Sequence, residues 1–349
     1  MNFSNVVTKA IILAAGVGSR NLPASKELPK EMLPVYDMPV IERIVRSLSE
    51  AGIFDVMIVT GRQKRAIEDH FDDNPTLERN LEEKGKLTEL KLIQEIPKLV
   101  RLTWARQSRP DGDAGALKLA RAFAGDDPVL VIFGDNVMAP RNIHHHDSLN
   151  SIEQLLKTFN RVQAPVVLCA TVADEDLRKY GVIAYEKTSV GDLINGMVEK
   201  PKTKADAPSN RVACGQYVIT DAIFDEVDKL IPSLDGEIRL ADALAAYVRQ
   251  NKPVYAHEFD GTWLDTGNHE ALFAASTFYA IRSANSEGII NNLFKMIEDL
   301  RHEQAIALKY HEERELIKAR EFKELITPPL PEEEEISATT QPVSVETTT

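Results

Sequence analysis

Lys9-Ala10-Ile11-Ile12-Leu13-Ala14-Ala15 is a short apolar run that stops at Gly16-Val17-Gly18-Ser19-Arg20. An apolar run of this length, closed by a glycine turn, is the pattern of a strand buried on both faces, as in a parallel sheet. Residues 55–60 and 128–133 repeat the pattern, and 165–171 is a fourth such run. Between them, Val40, Ile41, Ile44, Val45 and Leu48 recur at helix period, and Gly52 supplies a stop. Strands alternating with helices predict an α/β fold: a Rossmann-like, mixed but mostly parallel central sheet flanked by helices. Ligands of such sheets bind at the carboxyl ends of the strands. The loops after Ala15 and Phe133 are therefore where chemistry is expected.

The chain has 349 residues and a formal net charge of −13. It lacks the basic excess that binding a phosphate backbone requires, so nucleic acid is excluded as a general partner. Cys169 and Cys214 are the only cysteines. They provide neither a disulfide framework nor a cysteine-rich zinc site. No apolar run approaches the roughly 18 residues of a membrane span, and residues 1–9 lack a secretory pattern. No membrane partner and a cytoplasmic location are expected.

From Thr327 the composition changes. Pro328, Pro329 and Pro331 precede an acidic run, Glu332 to Glu335, in a stretch with little apolar material. An acidic disordered tail is expected over 327–349. Residues 291–325 predict one or two amphipathic C-terminal helices, packed on the chain's own core or against another subunit. Residues 62–100 read as a helical insertion on the sheet, and 180–186 and 212–220 as shorter strands. His144-His145-His146 reads as a polar loop, since consecutive side chains converge poorly on one metal ion.

The glycine turn carries more than geometry. Glycines after a strand let backbone N–H groups approach phosphate oxygens, and a nearby arginine adds a charged fork. Gly16 and Gly18 match neither Gly-x-Gly-x-x-Gly nor the Walker pattern, and alone they would describe a plain strand-to-helix turn. Arg20, Lys26 and Lys30, however, concentrate positive charge beside that turn in an acidic chain.

Gly16-Val17-Gly18-Ser19-Arg20, Leu22-Pro23-Ala24-Ser25-Lys26 and Pro29-Lys30-Glu31-Met32-Leu33-Pro34 together resemble the signature of the sugar-1-phosphate nucleotidyltransferases. The similarity is greatest to the bacterial UTP–glucose-1-phosphate uridylyltransferases. It continues through Lys64-Arg65-Ala66-Ile67-Glu68-Asp69-His70-Phe71, Arg106-Gln107, Tyr180-Gly181-Val182-Ile183, Met197-Val198-Glu199-Lys200-Pro201 and Gly236-Glu237-Ile238. It spans about 8–282. The resemblance implies a nucleotidyltransferase fold, with a catalytic domain over 1–286, a helical segment over 287–326 and the tail beyond. It implies transfer of a nucleotidyl group from UTP to glucose 1-phosphate, releasing pyrophosphate, in a homo-oligomer.

The resemblance also assigns residues. Arg20 and Lys30 would hold the β- and γ-phosphates, supported by Lys26. Lys200 would bind the sugar phosphate, and Glu199 would accept hydrogen bonds from sugar hydroxyls. Ala14, Ala15 and Gly16, with Gln107 and Gly112, would recognise the base: Gln107 can donate and accept, and Gly112 would let backbone approach it. Tyr180, Gly181, Gly215 and Tyr217 would line the sugar, although Gly215 equally reads as a strand bulge. Asp135, in Gly134-Asp135-Asn136, and Asp265, in Trp263-Leu264-Asp265-Thr266, would hold Mg²⁺ together with substrate phosphates. Each aspartate alone also reads as a turn or cap.

The chain departs from the uridylyltransferase pattern at two places. Gly112-Asp113-Ala114-Gly115-Ala116 stands where Gly-Leu-Gly-His-Ala is usual, and Asp135-Asn136 where two aspartates are usual. Pro110-Asp111-Gly112 and Gly134-Asp135-Asn136 lean toward the thymidylyltransferases, which leaves the nucleotide open between UTP and dTTP. Asp113 reads either as a helix cap or as a charge disfavouring nearby phosphate.

Overall fold

The computed structural model describes residues 6–141, 148–234 and 236–326. The chain divides into two units, one ending at Asn285 and one starting at Ser286. The first begins with β1 (Lys9–Ala14), followed by a pair of two-residue strands, β2 (Pro34–Val35) and β3 (Met38–Pro39). Helix α1 (Val40–Glu50) leads to β4 (Asp55–Thr60). Helices α2 (Arg65–Phe71), α3 (Pro75–Glu83) and α4 (Leu87–Glu95) precede β5 (Arg101–Arg106). Next come α5 (Asp113–Lys118), α6 (Arg121–Ala124), β6 (Val129–Phe133) and β7 (Asn136–Pro140).

The second half of the unit runs through α7 (Ser151–Val162), β8 (Val166–Thr171), β9 (Gly181–Lys187), β10 (Asp192–Glu199) and β11 (Arg211–Ile219). It continues with α8 (Asp221–Lys229), α9 (Leu240–Arg249), β12 (Tyr255–Glu258), β13 (Gly261–Asp265) and α10 (His269–Ala280). The second unit contains one helix of 41 residues, α11 (Ser286–Ile326), among the described residues.

Among the described residues, nine strands form one sheet in the order β5-β4-β1-β6-β11-β8-β12-β10-β9. β1 pairs in parallel with β4 on one side and β6 on the other, and β5 continues the parallel set. Both faces of β1 are buried. Ala10, Ile12 and Ala14 enter one apolar cluster, while Ile11 and Leu13 enter the other. That alternation explains why the run is apolar at every position rather than at every second one.

Beyond β6 the pairing changes. β11 lies antiparallel to both β6 and β8, and β8 is parallel to β12. The fourth apolar run of the sequence is therefore β8, in the mixed half of the sheet. Residues 62–100, expected as an insertion on the sheet, are instead the crossover joining β4 to its parallel neighbour β5. Parallel neighbours require such a crossover, and helices fill it.

Helix α1 buries Val40, Ile41, Ile44, Val45 and Leu48. It ends as Gly52 and Ile53 donate to the carbonyls of Ser49 and Leu48 at 3.1 and 2.9 Å, a Schellman closure at the expected glycine. A second, two-stranded sheet pairs β7 with β13 and sets Asp265 opposite Asn136.

Candidate active site

β1 is the strand at which the order reverses, with neighbours leading away on either side. A crevice opens at the carboxyl ends of strands at such a point. The loop after β1 and the Gly134-Asp135 turn after β6 both enter it. The Lys30 ammonium lies against Gly16, about 3.5 Å from where a Cβ would sit. It donates to Asp135 Oδ2 at 2.5 Å.

Burial alone would pull Lys30 down, but Asp135 and Glu31 outweigh it and hold the ammonium above the usual lysine value. Burial would likewise push the Asp135 carboxyl up, yet Lys30, helped by Arg20, holds it below the usual range. Both shifts favour the ionised pair.

Asp265 reaches the same place from β13. Thr266 donates its N–H and Oγ1–H to the Asp135 carbonyl at 3.0 and 2.7 Å, which ties the two aspartate loops together. Asp265 Oδ1 accepts from the Gly267 N–H at 2.8 Å, and Oδ2 accepts from the Tyr180 hydroxyl at 3.0 Å. Burial, then the Asp265 charge, push the Tyr180 phenol up, so it stays a donor. The Arg20 guanidinium lies against Gly267 beside Asp265.

A cavity of about 420 Å³ joins Arg20, Asp135 and Asp265 to Tyr180, Gly181, Glu199 and Lys200. Gly215 and Tyr217 close its floor from β11. The Glu199 carboxylate lies over Gly181, and Lys200 Nζ is 3.6 Å from Glu199. Lys200 has φ of +45°, left-handed backbone for a lysine, and its N–H is tied to the Tyr180 carbonyl at 3.1 Å. At Gly215 the expected bulge and the expected site coincide. The β11–β8 register shifts there, φ is +75°, and a Cβ would lie 2.7 Å from Asn136 Nδ2.

Ala15, Lys26 and Gln107 lie apart from this cavity, in a smaller one of about 200 Å³ that Val17 of the glycine turn also lines. Ala14 is the buried last residue of β1, and Gly18 precedes the Ser19–Asn21 turn, its carbonyl accepting from Ser25 Oγ at 2.6 Å. Two residues expected at the base make contacts within the protein. Gln107 Nε2 is already committed to Asp111 Oδ1 at 2.5 Å and the Gly112 carbonyl at 3.0 Å, which leaves its oxygen for a ligand. Gly112, at φ +97°, serves a different neighbour: a Cβ would lie 2.3 Å from the Ile238 carbonyl oxygen. The close approach it permits is to that backbone.

Asn136, Trp263 and Asp113, which were given no site role in sequence, also line the pocket. Asn136 Nδ2 donates to Asp135 Oδ1 at 3.2 Å, and Asn136 Oδ1 accepts from Trp263 Nε1 at 2.7 Å. Trp263 stands edge-on to Tyr180, ring centres 4.8 Å apart. Asp113 proves to be a cap: its Oδ1 accepts the Leu240 N–H at 2.6 Å, at the start of α9. Burial pushes its carboxyl up to about 6, against the pull of that hydrogen bond, and Glu199 adds to the rise. In sequence, Asp113 stood out as a departure from the family pattern, while Asn136 and Trp263 were marked only by lying in the same short segments as Asp135 and Asp265.

Other expectations fall elsewhere. Cys169 and Cys214 are free and buried, and burial pushes the Cys169 thiol up to about 12. His144 to His146 and the tail over 327–349 lie outside the described residues. Another hollow, of about 780 Å³ beside Arg43, Ser47 and Tyr279, holds none of the expected site residues. Among the described residues no cluster of three or more His, Cys, Asp or Glu could cage a metal, and no helix is long and apolar enough to cross a membrane.

The Nucleotidyl transferase family model matches residues 9–282. A UTP–glucose-1-phosphate uridylyltransferase 1 of Streptococcus pyogenes serotype M3 is 38% identical over 293 residues, covering 83% of this chain and 94% of the relative. That of Streptococcus pneumoniae serotype 4 is 38% identical over 288 residues, 82% and 94% of the two chains. A crystal structure of UDP-glucose pyrophosphorylase complexed with UDP-glucose superposes with a TM-score of 0.71 at 34% identity, over 80% of this chain and 100% of that one. A UTP-bound UGPase from Acinetobacter baumannii gives 0.73 at 30%, over 83% and 99%. With its β1 crevice, its paired aspartates and a match running from β1 to the end of the first unit, this chain belongs to the nucleotidyl transferase family.

Proposed function

We propose that this protein transfers the uridylyl group of UTP to glucose 1-phosphate, giving UDP-glucose and pyrophosphate. The observation that carries the reading is the meeting of Arg20, Lys30, Asp135 and Asp265 at the β1 and β6 carboxyl ends, beside a cavity walled by Glu199 and Lys200. The relatives' names point the same way.

An oxygen of the sugar phosphate attacks the α-phosphorus of UTP. The bond from that phosphorus to the bridging oxygen breaks in line, and pyrophosphate leaves with the electron pair. Such a step needs alignment and charge stabilisation more than a proton-transfer residue. Lys30 turns from Asp135 to the β- and γ-phosphates as they arrive, and Arg20 joins it, so both stabilise the leaving group. Lys200 receives the sugar phosphate, with its backbone fixed by the Tyr180 carbonyl. Glu199 accepts from sugar hydroxyls over Gly181. Lys26 and the free oxygen of Gln107 meet the nucleotide from the smaller cavity.

The donor set suits a divalent ion such as Mg²⁺. Asp135 and Asp265 offer two carboxylates, and substrate phosphates and waters complete the shell such an ion prefers. When bound, the ion supplies charge neutralisation between the two substrates. The unit ending at Asn285 carries the chemistry. A cytoplasmic location fits substrates too highly charged to cross a membrane unaided. We further propose a homo-oligomer, supported by exposed Phe294, Leu300 and Leu308 on α11; a monomer in sedimentation equilibrium would refute it.

The test is pyrophosphate release from purified protein with Mg²⁺, glucose 1-phosphate and each nucleoside triphosphate in turn. UTP should be turned over fastest. Faster release with dTTP would transfer the assignment to a thymidylyltransferase, and none with any triphosphate would leave a sugar-nucleotide-binding homologue without activity.

A further inference from the structure

Lys30 and Glu31 are consecutive residues of a short turn, yet they take opposite partners. Lys30 reaches Asp135. Glu31 points inward and is fully buried, with Oε2 accepting from Lys64 Nζ at 2.6 Å. Its second oxygen has no hydrogen-bond partner. The Glu31 stem passes beneath the metal loop: its Cγ is 3.2 Å from where a Gly134 Cβ would sit. Lys64 comes from the loop between β4 and α2, is 6% exposed, and borders the smaller cavity with Ala15 and Gln107. One contact thus joins segments following β1 and β4 beneath the turn that follows β6.

A buried ion pair is poor value as a source of stability, because desolvating both charges consumes most of their attraction. Here burial pushes Glu31 up and Lys64 down, and their mutual attraction offsets this only in part. The location explains the pair better. The Lys30 ammonium also senses the Glu31 charge, its chain neighbour. Glu31 therefore faces two cations, and it has an oxygen to spare.

We propose that Lys64 and Glu31 are positioning residues for Lys30: by occupying Glu31, Lys64 leaves the Lys30 ammonium to Asp135 and to the nucleotide phosphates that replace it. The proposal rests on the phosphate role given to Lys30 above. Without Lys64, Glu31 captures Lys30 and weakens the grip on phosphate. Without both, Lys30 is released again.

The experiment titrates pyrophosphate alone into the parent protein and variants by calorimetry, with melting curves alongside. Lys64→Met should weaken pyrophosphate binding by about tenfold, the value of a charge-assisted contact. Adding Glu31→Met should restore it to within about threefold of the parent, since an apolar pair replaces a buried ionic one with little penalty. Lys64→Gln, which keeps a donor for Glu31, gives the same comparison if Lys64→Met does not fold. A pair with only a structural role would shift the melting point and leave the affinity of the folded variant within about twofold; that result overturns the proposal. So does a double variant as weak as the single one, which would mean that Lys64 itself touches phosphate. A parent that does not bind pyrophosphate overturns both this inference and the role of Lys30. Failure of the UTP reaction alone, with pyrophosphate binding behaving as described, overturns only the reaction.

Discussion

Lys30 and Asp135 neutralise each other across 2.5 Å, so in the proposed reaction nucleotide and ion would divide an existing bond between them. Asp135→Asn and Asp265→Asn keep side-chain size while removing the negative charge. Each should lower turnover at least about a hundredfold, with a melting point close to the parent's, since charge stabilisation of several kcal/mol is lost. Near-normal rates in a steady-state assay would displace the metal from these residues. Asp113 gives a different prediction. Its folded value of about 6 lies above the ordinary 3.8, so the folded protein holds the extra proton between those values. Stability then falls as pH rises through that window and stays reduced above it. Asp113→Asn keeps an acceptor for Leu240 and should flatten the pH 4 to 6 slope in thermal melts. Because Asp113 keeps some contact with solvent at the pocket wall, the expected gain at pH 7.5 is about 1–2 kcal/mol. Unchanged melts would show that this carboxylate is not strained. The sequence displayed Asp113 as an oddity but hid its partner, because Leu240 lies 127 residues away. Asp135 was legible for the opposite reason: it directly follows an apolar strand and a glycine.

The pairing of β7 with β13 is the device that brings Asp135, in the turn before β7, and Asp265, the last residue of β13, to one cavity. It sets Asp265 across from Asn136, and Tyr180 holds Asp265 from the segment before β9. Tyr180→Phe removes that hydrogen bond and little else. It should raise the Mg²⁺ concentration for half-maximal rate by roughly tenfold, the value of one bond to a charged group, while the KM for sugar phosphate changes much less. The reverse pattern, read from initial rates over a metal and substrate grid, would make Tyr180 a sugar contact alone. Elements buried on both faces were plain in the sequence, as β1, β4 and β6 are unbroken apolar runs. β5 was missed, since this edge strand alternates exposed and half-buried positions and includes Arg101 and Arg106. β7 was missed because a strand starting straight after Gly134-Asp135 looks like the continuation of a turn. Its strand character comes from its partner β13, far along the chain.

At the scale of the molecule, every residue proposed to touch a substrate or metal lies before Asn285, while α11 and the acidic end follow it. Truncation after Asn285 should therefore leave a folded protein whose turnover is within about threefold of the parent, as an independently cored unit permits. Loss of activity in that truncation, with circular dichroism showing a folded chain, would assign the second unit a part in catalysis. The net charge of −13 belongs to the surface and the C-terminal end, whereas Arg20, Lys30 and Lys200 gather at the crevice and Lys26 lines the smaller cavity.

The switch from parallel to antiparallel pairing at β6 also sets an order of events during synthesis. β1, β4, β5 and β6 emerge from the ribosome first and are joined by helical crossovers, so their sheet forms from neighbours in the chain. β6 then waits with a bare edge until β11 arrives and sets Gln216 against Ile132. An apolar strand with an open edge is a template for wrong partners while it waits. The turn that carries Asp135 hangs from that same strand, so the cavity around it is walled only when β11 and β13 arrive.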